Sequence, residues 1–247
     1  MNELPPAISD LVARLAGLDG VEAIALGGSR ARSEQRVDSD WDLGLFYRGS
    51  LDVSPIRALG LGRVFEPHEW GPVINGGAWL TVEEIPVDLV YQDLDQVERW
   101  VDDAEHGRFE IHRLVGYAAG IPTYNAVGAL AVAEPLAGSL ARPAYSPALR
   151  ESAPPIWRNL AAGALRSASG HARRLELTQV VTQLGLAALN EAHARCAARG
   201  EWVLTEKGLL ERAGLSAIHR VIDGPEKLVR RVQLVAERLE LDISWGR

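Results

Sequence analysis

Two apolar segments with strand character are separated by a glycine pair and a polar stretch, and the second segment carries two aspartates one residue apart. Residues 21–26 (VEAIAL) predict a buried strand, and residues 40–47 (DWDLGLFY) predict a second one. Side chains two residues apart on a strand point to the same face, about 6–7 Å apart along the chain. We therefore expect Asp40 and Asp42 to present their carboxylates side by side.

This carboxylate pair needs a compensating cation, because like charges on a partly buried strand repel each other. Mg²⁺ suits the position, since it prefers hard oxygen ligands and keeps open coordination positions for phosphates. A third acid, Asp88, stands in PVDLVY between Val87 and Leu89. Three such acids from adjacent strands can hold two metal ions, one orienting an attacking oxygen and one clamping phosphates. We predict Asp40, Asp42 and Asp88 as catalytic and metal-binding residues.

The glycine pair that follows the first strand is suited to phosphate binding. Glycines let a backbone approach phosphate oxygens closely, and a serine at a helix start adds a hydroxyl and amides. The predicted phosphate-binding residues are Gly27, Gly28, Ser29, Arg30, Arg32 and Lys207. Three of these keep alternatives open: Arg30 and Arg32 equally suit solvated positions at a helix start, and Lys207 suits a surface position beside Glu206.

The pattern of elements changes along the chain. Besides the two strands, we expect a helix over 8–18, extended segments over 78–83 and 86–91, and a helix over 94–105. From about Ala126, strand signals are absent, and a run of prolines marks a boundary: Pro143, Pro147, Pro154 and Pro155. Helices are expected over 155–167, 171–198, 205–213 and 225–240. The predicted fold class is α+β: a small mixed-sheet domain (1–140) followed by an all-α helical bundle (141–247).

The glycine turn and the acids together resemble a known family. G-G-S, ten residues, and then D-W-D-L, with a later D in PVDLVY, is similar to the pattern of the DNA polymerase β-like nucleotidyltransferases. The two-part organisation also resembles aminoglycoside nucleotidyltransferases such as the kanamycin and streptomycin/spectinomycin enzymes. The resemblance implies that residues 1–140 are catalytic and that residues 141–247 complete the nucleotide and acceptor sites.

The same resemblance implies an activity. A nucleoside monophosphate, AMP from ATP or from another nucleoside triphosphate, would pass to a hydroxyl of a small polar acceptor, with two Mg²⁺ ions and release of pyrophosphate. An aminoglycoside-like antibiotic is an implied acceptor. Two alternatives stay open: transfer of AMP to a protein hydroxyl, as in antitoxin-type enzymes, and a non-catalytic nucleotide-binding protein of the same fold.

Several other residues are candidates for supporting roles. A general base must reach the acceptor hydroxyl, and Asp88, Glu69, Glu83 and Glu84 are all candidates. Trp70 and Trp79 suit either core packing or stacking on a base or sugar. In the helical half, Asn190 and Glu191 suit a solvated helix face, although Glu191 equally suits the lining of an acceptor pocket.

Charge and composition limit the partners. Residues 1–140 hold 22 acidic and 10 basic side chains, and the remainder holds 11 and 16. An acidic half is a poor nucleic-acid surface but attracts cationic small molecules.

The single cysteine predicts a reducing compartment, the cytosol. No apolar run of about 18 residues is present, so no membrane span is expected. Residues 1–10 carry acids and two prolines in place of a basic region followed by an apolar run, so no signal peptide is expected. The oligomeric state is left open.

Overall fold

A computed structural model of the chain describes residues 4–28 and 40–242, which form two compact units. The first unit contains residues 1–103 and 122–144, and the second contains residues 104–121 and 145–247. The second unit thus takes in a segment that precedes residue 140. The catalytic and completing roles predicted for residues 1–140 and 141–247 stay predictions.

The first unit is built on a mixed sheet. Its strands are β1 (Val21–Leu26), β2 (Trp41–Tyr47), β3 (Gly62–Val64), β4 (Gly77–Val82), β5 (Ile85–Asp93) and β8 (Glu134–Gly138), and the second unit holds β6 (Ile111–Leu114) and β7 (Tyr117–Pro122). Within the described residues, the first-unit strands lie in the order β3-β4-β5-β2-β1-β8. The β2–β5 pair is parallel and the other pairs are antiparallel.

The helices of the first unit within the described residues are α1 (Pro6–Ala16), α2 (Ser54–Ala58), α3 (Leu94–Glu105) and α4 (Tyr124–Val132). Apolar residues of α1 recur at helical spacing, and Ile8, Leu11 and Leu15 are buried. They belong to one apolar core with the alternate side chains of β2 and β5 that include Leu43 and Leu89. That core fixes one face of the sheet against helices, and the other face carries the aspartates.

The second unit is a helical assembly with one β-hairpin, β6–β7. Its helices are α5 (Pro147–Arg173), α6 (Leu177–Arg199), α7 (Leu209–Arg212), α8 (Ile218–Ile222) and α9 (Leu228–Leu239). The long helices α5 and α6 share an apolar core with α9. The predicted fold class, a mixed-sheet domain followed by a helical region, is confirmed. In the described residues, no helix is both long and apolar enough to cross a membrane.

Strand β3, strand β8 and the β6–β7 hairpin were not predicted. Strand signals were expected to vanish after Ala126, yet β8 pairs with β1 at one edge of the sheet. Its sequence, EPLAG, combines a proline and a glycine with little apolar periodicity, so only pairing with a distant strand makes it extended. No sequence signal indicates the β6–β7 hairpin. Two backbone N–H groups of β7 donate hydrogen bonds to a side chain more than 80 residues later in the chain.

The proline run does not end a helix. Pro154 and Pro155 lie inside α5, so the helix start predicted at residue 155 is wrong. Helix α5 begins at Pro147, where Ser146 caps it by accepting a hydrogen bond from the Leu149 N–H (2.9 Å). Packing along α6 holds the helix through two residues that lack an N–H donor.

Smaller differences concern helix ends. The last two predicted helices are shorter than expected: α7 begins at Leu209 instead of residue 205, and α9 begins at Leu228 instead of Pro225.

Helix α4 was missed because it is apolar on nearly all sides and shows no amphipathic period. By contrast, β1 and α3 have the predicted bounds.

Candidate functional site

Asp42 and Asp88 are direct neighbours across two parallel strands. In the β2–β5 pairing, Asp42 is level with Asp88, and Leu43 is level with Leu89. Residues level with each other on adjacent parallel strands share a face, and neighbouring strands are about 4.8 Å apart. Both aspartates are partly exposed while Leu43 and Leu89 are buried. The register therefore brings two carboxylates together on the sheet face opposite the apolar core.

The glycine pair lies directly against Asp42. The Gly27 N–H donates a hydrogen bond to the Asp42 carbonyl oxygen (2.8 Å), which extends the β1–β2 ladder by one residue. Gly28 then turns with φ +60°, and a Cβ placed there would lie 1.6 Å from Asp42 Oδ2. No side chain fits at residue 28 without displacing the carboxylate. The backbone that follows β1 therefore lies in contact with the Asp42 carboxylate.

Asp40 is exposed and immediately precedes β2. Ser29, Arg30 and Arg32 lie outside the described residues, so their predicted phosphate contacts stay predictions. Among residues 4–28 and 40–242, no group of three or more His, Cys, Asp or Glu side chains is arranged to hold a metal ion. The convergence of three aspartates on a metal accordingly stays a prediction, whereas the pairing of Asp42 with Asp88 is a feature of the sheet.

The aspartate face continues onto β4 and β3. Trp79 of β4 is the antiparallel partner of Asp88, and Arg63 of β3 is the partner of Trp79. The exposed fraction of Trp79 is 52%, so the interpretation of this residue as core packing is wrong. Phe65 and Trp70 pack beside its indole, with ring centroids 4.8 Å and 5.9 Å away. An aromatic surface therefore adjoins the acid pair.

The opposite face of β2 and β5 is closed. Tyr47 and Tyr91 are buried there, and Asn75 Nδ2 donates a hydrogen bond to the Tyr47 hydroxyl oxygen (3.0 Å). Burial, and after it the Asp93 carboxylate, raises the pKa of the Tyr47 hydroxyl. Burial also raises the pKa of Tyr91. These side chains anchor the strands that carry the aspartates.

The general-base candidates lie in different parts of the first unit. Glu83 and Glu84 form the tight turn between β4 and β5, both with positive φ, and both are exposed. Glu69 is exposed, and its Oε2 accepts a hydrogen bond from the Glu66 N–H (2.8 Å). Asp88 is the candidate that the strand register brings beside Asp42, which favours it over the other three.

Lys207 belongs to the second unit, where it is exposed in the turn before α7. Its predicted triphosphate contact stays a prediction. Its neighbour Glu206 is not a surface residue: its side chain is 9% exposed, and its carboxylate accepts hydrogen bonds from the N–H groups of Ala118 (2.7 Å) and Ala119 (2.9 Å) on β7. Burial alone would raise the pKa of Glu206, but these hydrogen bonds and His193, 3.6 Å away, lower it. Sequence reasoning missed this tether because no local pattern marks it.

Asn190 and Glu191 are also buried, so a solvated helix face is wrong for both. Glu191 pairs with Arg195 (3.1 Å) and Arg158 (3.5 Å). Burial raises its pKa despite both arginines. Asn190 lines a groove of about 1210 Å³ formed by β6–β7, α5 and α6, whereas Glu191 is not among the lining residues. An acceptor-lining role for Glu191 stays a prediction.

The residues around Asp42 fit a divalent cation bound with a phosphate group. Two carboxylates offer hard oxygen donors, and the absence of a side chain at residue 28 lets the Asp42 carboxylate lie directly against the backbone of the turn. Asp42 and Asp88 would hold the ion, and the Gly27–Gly28 backbone would face the phosphate. The donor set has no thiol or imidazole, which favours Mg²⁺ over zinc.

Comparisons with known proteins found structural likenesses of low identity. No family model and no curated protein matches the chain. A nucleotidyltransferase-like protein from Exiguobacterium sibiricum 255-15 is similar with a TM-score of 0.48 and 13% identity, over 95% of this chain and 72% of that one. An aminoglycoside 6-adenyltransferase from Bacillus subtilis is similar with a TM-score of 0.28 and 9% identity, over 96% of this chain and 91% of that one.

Proposed function

We propose that this chain is a Mg²⁺-dependent nucleotidyltransferase that moves AMP from ATP to a hydroxyl of a small polar acceptor. One observation carries the proposal: Asp42 and Asp88 are level on parallel strands, and a side-chain-free turn at Gly28 lies against the Asp42 carboxylate. Acids on a strand face beside a glycine turn suit phosphoryl chemistry. The G-G-S and D-W-D-L spacing supports the same assignment.

Each residue has a distinct task in the proposed reaction. The Gly27–Gly28 backbone would face the triphosphate, and Asp42 and Asp88, with Asp40 before β2, would hold the cation that binds the phosphates. Bound Mg²⁺ supplies charge neutralisation at the phosphates and eases loss of the acceptor proton. The acceptor oxygen forms a bond to the α-phosphorus, and the bond to pyrophosphate breaks. Asp88 lies on the acceptor side and takes up the proton of the hydroxyl.

The charge of the chain supports a cationic acceptor. Residues 1–140, which contain both aspartates, hold 22 acidic against 10 basic side chains. Such a surface raises the local concentration of amines. An aminoglycoside-like antibiotic fits this preference, so we propose a role in antibiotic resistance in the cytoplasm.

The test is transfer of label from α-labelled ATP to a panel of amine-bearing and neutral polyols, with pyrophosphate release measured in parallel. Asp42→Asn and Asp88→Asn should each lower the rate by about a hundredfold or more, because each removes a ligand charge from the phosphate site. Asp10→Asn is the matched control, since Asp10 is an exposed acid on α1 of the same unit.

The outcomes separate the proposal from its alternatives. Wild-type activity in Asp42→Asn contradicts the metal-site assignment. Label found on protein bands of a lysate, with none on the polyols, favours transfer to a protein hydroxyl. ATP binding without pyrophosphate release across the whole panel favours a non-catalytic nucleotide-binding protein.

A further inference from the structure

The sheet arranges the candidate site as a row across neighbouring strands. From one side to the other the row runs from the Gly27–Gly28 turn after β1 to Asp42 on β2, Asp88 on β5, Trp79 on β4 and Arg63 on β3. With about 4.8 Å between strands, Trp79 lies roughly 14 Å from the glycine side of the row. Trp79 is therefore separated from the turn by both aspartates.

Trp79 occupies an exposed position on its strand, and such positions usually carry a polar side chain. On β4, Ala78, Leu80 and Val82 are buried, while Trp79 and Thr81 point to the opposite face. The indole keeps 52% of its surface exposed although Phe65 and Trp70 pack beside it. A large apolar side chain that packs against an edge-on Phe65 ring and a stacked Trp70 ring, yet keeps half of its surface exposed, suits ligand contact better than core packing.

The packing around the Trp79 indole depends on particular residues of β3 and β4. A Cβ at Gly77 would lie 2.8 Å from the Trp70 ring, so only a glycine leaves room for Trp70 over β4. The Arg63 guanidinium lies over the Phe65 ring (4.5 Å) and near the Trp79 ring (5.9 Å). Arg63 thus occupies the β3 side of the indole, and the β5 side, toward Asp88, is the side that faces the acid pair.

We propose that Trp79 is the acceptor-contacting residue of this site, stacking its indole against an aminated saturated ring whose hydroxyl lies at Asp88. The inference rests on the proposed function, because the triphosphate is assigned to the glycine side of the row. An indole attracts both C–H groups and ammonium groups of such a ring, and the Asp88 carboxylate beside it favours the positive charge. The ligand class is an amine-bearing polyol.

Calorimetric titration of the full chain without nucleotide tests this contact. The probes are kanamycin, an aminated sugar, maltose, a sugar without amines, and MgATP in a separate titration. In the wild type, kanamycin should bind more tightly than maltose. Trp79→Ala should weaken kanamycin binding about tenfold, Trp79→Phe by less than about threefold, and MgATP binding should stay unchanged in both. Thr81→Ala is the matched control on the same strand and face, and it should bind kanamycin like the wild type.

Three results overturn the proposal. One is unchanged kanamycin affinity in Trp79→Ala, and another is an equal loss of MgATP affinity, which would assign the indole to the nucleoside base. The third is a wild-type chain that binds neither sugar. Because sugar binding is measured without nucleotide, these results are independent of pyrophosphate release, which tests the proposed function.

Discussion

Gly28 has the most restricted environment among the residues of the site. Its φ of +60° is a left-handed conformation, and a Cβ would overlap the Asp42 carboxylate. These two restrictions have different consequences. The backbone conformation affects stability wherever it occurs, whereas the overlap with Asp42 both costs stability and displaces the carboxylate of the site.

Gly28→Ala should therefore abolish nucleotide transfer and lower the free energy of unfolding by more than the cost of about 1–2 kcal/mol of a left-handed non-glycine residue, because the methyl group also displaces the Asp42 side chain. Gly60→Ala is the matched control, because Gly60 has φ +66° and a methyl group there would meet nothing within 4 Å. Thermal unfolding and the transfer assay on both variants check this. Equal activity in the two variants would contradict a functional role for the Gly28–Asp42 contact.

The site was partly predictable at this scale. The spacing of G-G-S, D-W-D-L and PVDLVY indicates the acids as candidates, but it does not show which residues lie beside them, because strand register depends on pairing between distant segments. The same limit applies to Trp79: an exposed tryptophan and a core tryptophan look alike until the register assigns a face. The buried role of Glu206 was not predicted, because its partners, Ala118 and Ala119, lie more than 80 residues earlier.

Among the elements, the hairpin β6–β7 depends on one buried acid. The Glu206 carboxylate receives two N–H groups of β7, and the Tyr117 hydroxyl donates to the Leu204 carbonyl oxygen (2.6 Å). The segment before α7 thus fastens the hairpin from outside it. Strands this short need such contacts, because an isolated two-stranded hairpin is marginally stable.

Glu206→Gln should lower the free energy of unfolding at pH 7 by about 2 kcal/mol, because hydrogen bonds to a buried charge are replaced by weaker ones. The folded state lowers the pKa of Glu206, so its contribution is complete above the unfolded-state pKa, about 4.3. The contribution is lost as the pH falls through the lower folded-state pKa. Urea unfolding at pH 7 and at lower pH should show the difference from wild type shrinking below about pH 4.3.

Glu201→Gln provides the control for that measurement. Glu201 is 39% exposed and pairs with Arg199, so its replacement should cost well under about 1 kcal/mol. A Glu206→Gln deficit that is the same at pH 7 and pH 3 would show that the tether does not depend on the carboxylate charge.

An element could be predicted from the sequence when residues close together in the chain determine it. Strand β1 is a continuous apolar run, and α3 has an amphipathic face, so their bounds were predictable from neighbouring residues. Strand β8 and helix α4 are specified by burial and pairing with other parts of the chain. Helix α5 passes through Pro154 and Pro155 because its packing outweighs a local preference that favours a break.

Across the whole molecule, the two compact units do not follow simple chain order. Residues 104–121 belong to the second unit, and the chain then returns to the first for residues 122–144. The change of composition near Ala126 indicates a helical second half. Composition does not indicate that the chain enters the second unit and then goes back to the first. Charge is similarly uneven, with the acidic excess in residues 1–140. The acid pair thus lies in the part of the chain that attracts cations.

The central claim is that Asp42 and Asp88 hold a divalent ion beside a triphosphate on the Gly27–Gly28 turn. A crystal structure with Mn²⁺ and a non-hydrolysable ATP analogue tests it directly, since Mn²⁺ replaces Mg²⁺ and is located by its anomalous signal. The account predicts a Mn²⁺ peak about 2.1–2.3 Å from carboxylate oxygens of both aspartates, with the phosphates against Gly28. An analogue bound elsewhere, or ordered without metal at either aspartate, would contradict it.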